Sequence, residues 1–304
     1  MFEQLRQRLY PEAKTKKEAP IIDHIRPEDV AGLNLSWNSH FNTPAFRQQV
    51  IDFPGLCWRV RGLGEYVVGD NWRHREDIGQ IIETRAPRYR AELIQELLNE
   101  YIRRDYGAVV IGSDERGDNA RFYAEAGFHE IERIVYYEKP DVSFTYNYRQ
   151  HAKNPLIMPF QARLLEDLLK VDHEAFPWLW WNGRTELEYY LKQDGVTVYL
   201  TYLEEPSGLL SPVGYFGFTL YERWAHLDRL AITHDNQGQR LGAYQLAYAI
   251  ELMANRGAKR VTLSTQETNY QSQKLYEGFG FRRVNTLEYS LVGKWLKPSA
   301  SNLK

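Results

Sequence analysis

Six residues, Gln237-Gly238-Gln239-Arg240-Leu241-Gly242, stand between an apolar, strand-length run, Leu227 to Ile232, and a segment from Ala243 to Gly257 with the spacing of an amphipathic helix. A strand, a short glycine-containing loop and a helix start therefore meet at one point. Unpaired backbone N–H groups at the positive end of a helix dipole suit a phosphate or pyrophosphate, with few side-chain charges needed. On the strand leading in, His226 and Asp228 alternate onto one face with Leu230, so an imidazole and a carboxylate look toward the same cleft. Downstream, Asn269 and Ser272 are residue types that also cap helices, and Tyr276 falls on a packed helix face as read from the sequence.

The elements that must position these groups recur twice. In the second half, helices are expected over residues 164–172, 185–192 and 243–256, and strands over 196–202, 213–221, 226–232 and 260–264. In the first half, strands are expected over 22–25, 58–60, 66–68 and 108–111. A helix opens at Arg26-Pro27-Glu28-Asp29, another spans 87–104, and a strand over 131–138 closes the half. Phe122-Tyr123 with Gly127-Phe128 matches Leu275-Tyr276 with Gly280-Phe281 at one offset, 281 minus 128 and 276 minus 123 both being 153. This order argues for a tandem duplication of one αβ unit, with the boundary in the proline-punctuated stretch from Lys139 to Pro159. Residues 1–20 read as a short amphipathic arm ahead of modules at 21–142 and 143–304.

The 304 residues carry 43% hydrophobic and 26% charged side chains, the balance of a globular chain with a sizeable core. A formal charge of -2 gives no basic field for nucleic acid, and Lys14, Lys16 and Lys17 read as a solvated run. The single cysteine, Cys57, excludes an intrachain disulfide and a multi-cysteine zinc site; between Leu56 and Trp58 it reads as a buried structural thiol. No apolar run approaches the roughly 20 residues of a membrane span, so a soluble cytoplasmic protein is expected, without membrane or metal partners.

These residues resemble the GNAT-type N-acetyltransferase superfamily, whose acetyl-CoA loop has the pattern Q/R-x-x-G-x-G/A. Here it reads Gln237 to Gly242, with Arg240 where the pattern has its first glycine and an extra Gly238 nearby. The segment from Asn269 through Leu275-Tyr276 to Gly280-Phe281 matches the family's N-x-x-x-x-x-L-Y-x-x-x-G-F segment at the expected distance. The resemblance implies an α/β chain of α+β type: two tandem GNAT-like modules, each a mixed, mostly antiparallel sheet flanked by helices. Mycothiol synthases are similar in having two such modules. At the same 153-residue offset, Thr84-Arg85-Ala86-Pro87-Arg88-Tyr89 replaces the loop without any glycine, which implies a degenerate first module that is structural or helps enclose the acceptor.

The resemblance further implies acetyl-CoA as co-substrate, bound by Leu230, Ala231 and Ile232 through backbone, by Gln237, Gly238, Gln239, Arg240, Leu241, Gly242 and Ala243, and by Asn269 and Ser272 along the arm. Tyr276 sits where the family places a tyrosine beside the sulfur, as acid, or else only packs. Asp228 and His226 are candidates for the base, with Glu222 and Glu267 in reserve; a salt bridge of Asp228 to Arg229 or Arg223 is the alternative. Phe176-Pro177-Trp178-Leu179-Trp180-Trp181 resembles the A-F-P-W segment of ribosomal-protein alanine acetyltransferases, where it borders the acceptor. Its rings pack, or else wall an acceptor slot that holds an ammonium by cation–π contact. The implied acceptor is a small-molecule amine or a protein N-terminus, and a homo-oligomer is compatible. Two other readings stay open: a catalytically silent acyl-CoA-binding or regulatory protein, and an aminoacyl transferase of the same fold.

Overall fold

A computed structural model describes residues 20–35, 37, 39–117, 119–142 and 153–298. Residues 1–19 of the expected arm, with its lysine run, and residues 143–152 of the expected boundary lie outside the described residues. In chain order the first elements are β1 (Ile22–His24), α1 (Thr43–Asp52), β2 (Cys57–Val60), β3 (Glu65–Asn71), β4 (Ile78–Arg85), α2 (Arg90–Arg103), β5 (Ala108–Ile111), α3 (Ser113–Arg116), α4 (Ala120–Glu125) and β6 (His129–Lys139). Then come β7 (Leu156–Pro159), α5 (Leu165–Ala175), α6 (Arg184–Tyr190), β8 (Val196–Glu204), β9 (Leu210–Leu220), β10 (Trp224–Ile232), α7 (Leu241–Asn255), β11 (Arg260–Gln266), α8 (Tyr270–Gly278), β12 (Arg282–Arg283) and β13 (Tyr289–Trp295). They form two compact units, Met1–Val68 with Glu83–Leu97, and Gly69–Ile82 with Leu98–Lys304.

In the first unit β1, β2 and β3 pair antiparallel, Ile22 opposite Val60 and Cys57 opposite Val68. Cys57 is buried, as its apolar neighbours suggest. The helix expected at Pro27 is a 3-10 turn, Pro27–Gly32, and α1, not anticipated from the sequence, is capped by Asn42, whose Oδ1 accepts from Ala45 N–H at 2.9 Å. Just before α2, the buried Glu65 carboxylate accepts from the N–H groups of Arg88 and Tyr89, both at 3.1 Å, and from Arg88 Nε at 2.6 Å. Burial opposes the Glu65 charge, but these donors outweigh it and hold the carboxyl below its ordinary value.

The second unit carries a sheet in the order β4-β5-β13-β6-β11-β10-β9-β8-β7, with β12 also on β6. Its parallel pairs are β4 with β5 and β10 with β11. On one face Leu246, Ala249, Ile250 and Met253 of α7 pack with Tyr276 of α8 on Phe216, Phe218 and Leu263; on the other, Leu168 and Val171 of α5 and Leu187 of α6 pack on Leu200, Tyr202 and Tyr215. The expected repeat is visible in the helix ends: Phe128 N–H donates to Tyr123 C=O and Phe281 N–H to Tyr276 C=O, after Gly127 at φ 84° and Gly280 at φ 81°.

The closing strands do not close their own halves. β6 of the first half lies against β11 of the second, Leu263 opposite Tyr137, while β13 of the second half lies against β5 of the first, Gly293 opposite Val110. Gly293 makes that passage possible, since a Cβ there would stand 2.6 Å from Val109 O and 3.1 Å from Ile131 Cδ1.

Candidate active site

Strand β10 runs parallel to β11 only as far as Leu227, opposite Leu263; beyond it, Ser264, Thr265 and Gln266 continue their pairing with β6 while β10 stays with β9. The two strands part, and two cavities meet in the gap. One, about 520 Å³, includes His226, Asp228, Arg229, Ser264, Asn269 and Tyr276 in its wall. The other, about 750 Å³, is walled by the Gln237–Ala243 loop, and the two share Phe176, Leu230, Gln266, Asn269 and Ser272.

Thr233 N–H donates to Val213 C=O at 2.9 Å, which fixes the phase of β10: Ala231 turns its N–H toward β9, and Leu230 and Ile232 turn theirs toward the gap. The loop follows. Gln237 Nε2 donates to Ile232 C=O and Gln239 Nε2 to Asp235 C=O, both at 3.0 Å, so these amides brace the loop. Gln239 is the one expected cofactor contact that the larger cavity's wall does not include.

Arg240 ends the loop. It is the residue before α7, at φ 65° and ψ 7°, the left-handed conformation that a glycine would adopt without strain. The residue at the pattern's glycine position thus takes a backbone conformation that glycine favours. No side chain caps α7, so the N–H groups of Leu241, Gly242 and Ala243 face the cleft as a helix start leaves them. Lys274 of α8 lines the same cleft, a second cation that the motif reading passed over.

The strand alternation expected of His226, Asp228 and Leu230 is broken by a β-bulge, a register shift between Leu227 and Arg229. Asp228 reaches Thr219 and Arg229 lies opposite Gly217, so consecutive residues serve the α6 side of the sheet, while Leu230 packs with the α7 side. Asp228 Oδ2 accepts from Tyr190 OH at 2.7 Å and Thr219 Oγ1 at 2.8 Å; Oδ1 has no protein partner among the described residues. No ion pair to Arg229 or Arg223 forms. Burial pushes the Asp228 carboxyl up to about 6, against those two hydrogen bonds and the Arg229 charge. Gly217 lets Tyr190 arrive, because a Cβ there would stand 2.6 Å from the Tyr190 hydroxyl.

His226 Nδ1 is 2.8 Å from Thr262 Oγ1, and burial lowers its pKa, which keeps the ring neutral near pH 7. Asn269 does cap α8, its Oδ1 accepting from Ser272 N–H at 3.1 Å, and it lines both cavities as well. Tyr276 is buried and pushed up to about 12 by desolvation, with a Ser272 hydrogen bond acting the other way.

The aromatic segment divides its work. Phe176 and Trp180 line the smaller cavity, whereas Trp178 and Trp181 face the guanidinium of Arg75 at 4.8 and 5.4 Å. Arg75 is held by Asp77 at 2.8 and 2.6 Å, and Trp178 Nε1 donates to Asp77 at 2.8 Å. The protein's own arginines thus take the cation–π positions on Trp178 and Trp181, with Arg229 also 4.7 Å from Phe176 and Arg73 5.5 Å from Trp72, while the Trp180 ring faces the cavity.

Sequence reasoning missed most of the residues around Asp228, because they are single polar residues on other elements. Tyr190 and Thr219 carry no motif, and Arg73 comes from the other half of the chain. No group of three or more His, Cys, Asp or Glu among the described residues could hold a metal ion, and no described helix is long and apolar enough to cross a membrane.

Comparison with known proteins bears on the family and the fold. Residues 162–281 match the model of the acetyltransferase (GNAT) family. That stretch, the greater part of the second half, is similar to a GNAT domain. A GCN5-related N-acetyltransferase from Sphaerobacter thermophilus matches over 91% of this chain and 96% of its own, at TM-score 0.52 and 16% identity. The glucosamine N-acetyltransferase region of a fungal multi-domain β-N-acetylglucosaminidase matches over 91% of this chain and 38% of its own, at TM-score 0.55 and 13% identity. At those identities the likeness is one of fold, and it extends over both halves. Kotanin synthase of Aspergillus niger is 28% identical over 152 residues, which is 45% of this chain and only 9% of that protein.

Proposed function

We propose that this GNAT chain transfers an acetyl group from acetyl-CoA to a primary amine by direct attack within a ternary complex in the second-half cleft. The family and fold indicate acyl transfer; the observation that carries the finer reading is the parting of β10 from β11, which leaves the Leu230 and Ile232 N–H groups facing a gap where phosphate loop and carboxylate meet. The pyrophosphate lies on the Leu241–Ala243 N–H groups near Arg240 and Lys274, and the arm runs past Asn269 and Ser272. The gap N–H groups polarise the acetyl carbonyl, and holding both reactants there supplies much of the acceleration.

Asp228 takes the amine proton. With its pKa near 6 it is mostly ionised at pH 7, and its unpartnered Oδ1 is the acceptor. Neutral His226, on the same wall, is a further proton acceptor. Tyr276, near 12, stays protonated throughout the neutral range. Full transfer of its proton to an ordinary thiolate, near 8.5, is uphill by about 5 kcal/mol, so its part is to hydrogen-bond the sulfur as charge develops there.

The two repeats at 21–142 and 143–304 remain our module assignment, with their closing strands exchanged. The first lacks a CoA site on this reading, since Glu65 occupies the N–H groups of Arg88 and Tyr89 where a phosphate would lie. Calorimetry with acetyl-CoA on the wild type and on Gly242→Asp tests the cofactor assignment. A Cβ at Gly242 has only ordinary contacts, at 3.6 and 3.9 Å, so the variant should fold and repel the phosphates. Absence of binding to the wild type would overturn the proposal.

A further inference from the structure

The tip between β3 and β4 supplies an arginine to the smaller cavity at a cost in backbone strain. Arg73 and His74 both have positive φ, 54° and 57°, a conformation that is uncommon for one non-glycine residue and rarer for two in succession. The tip is pinned by Arg75 on Asp77, and by Tyr101, whose hydroxyl accepts from Asp70 N–H at 3.0 Å. Arg73 Nε donates to Glu186 at 3.4 Å and its Nη2 to Asn182 Oδ1.

From the opposite wall, Arg229 Nη2 donates to the same Asn182 Oδ1 at 2.9 Å. Asn182 is fixed behind them by the fully buried Asp172, which accepts from Asn182 N–H at 2.5 Å and Nδ2 at 2.9 Å and from Tyr215 OH. One carbonyl oxygen therefore gathers two guanidinium groups.

Their charges are unequally answered. Glu186 meets Arg73, but among the described residues Arg229 pairs with no carboxylate, and its Nε and Nη1, like Arg73 Nη1, donate to none. Trp180, in the same wall, has a buried Nε1 donor with no partner among the described residues. Partly buried cations are ordinarily paired, and two planar guanidinium forks side by side match an anion that accepts in two directions. Asp228 Oδ1, an unpartnered acceptor, belongs to the same cavity.

We infer that the acceptor is an amine that also carries an anionic group, of amino-acid size, with its carboxylate between Arg73 and Arg229 and its amine at Asp228. This rests on the acetyl-transfer reading for which end reacts, but the anion site can be tested by binding alone. Glu186 sets the register by neutralising Arg73 from behind, so Arg229 is the main specificity-determining residue. In the transfer step the amine nitrogen bonds to the acetyl carbon, the C–S bond breaks with its electron pair going to sulfur, and the nitrogen's proton goes to Asp228.

The test measures thiol release and calorimetric binding for the common α-amino acids, β-alanine and γ-aminobutyrate, each against its own carboxamide, with full-length protein. Binding is measured in the presence of CoA. At least one acid should exceed its carboxamide by about 30- to 100-fold in kcat/KM or in affinity, the range expected for charge-assisted hydrogen bonds. Arg229→Gln should bring that ratio toward one and leave the acetyl-CoA Kd unchanged, and Arg229→Lys should restore part of it. Phosphate-bearing amines, run alongside, distinguish a carboxylate from a phosphate as the anion. If no acid outperforms its carboxamide in either assay, or Arg229→Gln leaves the ratio intact, the inference fails. If acids bind selectively but acetyl-CoA does not bind, the anion site stands and the acetyl-transfer reading falls.

Discussion

Replacing Asp228 by Asn should make the protein more stable and less active, with a pH signature that separates the two effects. The carboxyl titrates near 6 in the folded state against an ordinary value of 3.8, because burial disfavours its charge. A folded pKa that is raised contributes stability that is fully present below about pH 4 and is lost as pH rises through 6. The difference of about 2 units corresponds to on the order of 3 kcal/mol. Asparagine can place its Oδ1 where Asp228 Oδ2 accepts from Tyr190 and Thr219, and it turns an amide toward the cavity, giving up the attraction of the Arg229 charge. Those two hydrogen bonds weaken on losing the carboxylate, so the net gain near pH 7 should be about 1–3 kcal/mol.

Thermal unfolding of wild type and variant, followed from about pH 3.5 to 8, should show curves that approach each other at the acid end, separate between about pH 4 and 6, and stay apart above that. Thiol release should fall by about a hundredfold or more. The wild type's kcat/KM should drop below pH 6 as Asp228 takes up its proton, and that limb should be missing from whatever activity the variant keeps. A stability difference independent of pH, or a variant less stable at pH 7, would refute the assignment of a strained, ionised carboxylate.

Tyr276→Phe should lower turnover by about tenfold or more while leaving the calorimetric acetyl-CoA Kd nearly unchanged, and unaltered turnover would remove the hydroxyl from the mechanism. Arg240→Gly should raise the unfolding free energy by up to about 1 kcal/mol by relieving the left-handed backbone at φ 65°, and a loss of stability in denaturant titration would show that the side chain stabilises the loop by more than its strain.

Much of the cleft was legible because it is local. A strand, a loop and a helix adjacent in the chain bring an uncapped helix start to a strand end whatever surrounds them, and Ser272 and Tyr276 share one short helix that Asn269 caps, so spacing alone brings them together. The paired Gly127-Phe128 and Gly280-Phe281 helix ends were readable for the same reason, each being a backbone device closed within a few residues. What spacing could not supply was long-range. Period-two alternation placed Leu230 beside Asp228, but the bulge at Asp228 depends on pairing with β9, and it turns both Asp228 and Arg229 to one side.

The sequence by itself determined which half could hold a phosphate and which side chains of β10 could do chemistry, since these follow from glycine, capping and strand patterns in one continuous segment. Only the tertiary structure decided that β6 and β13 exchange places, and that Arg73 meets Arg229 across Asn182. Strand neighbours are chosen by apolar faces that many strands share, and a lone arginine on a turn carries no periodic signal. Such contacts exist only once the chain has brought together residues more than a hundred positions apart.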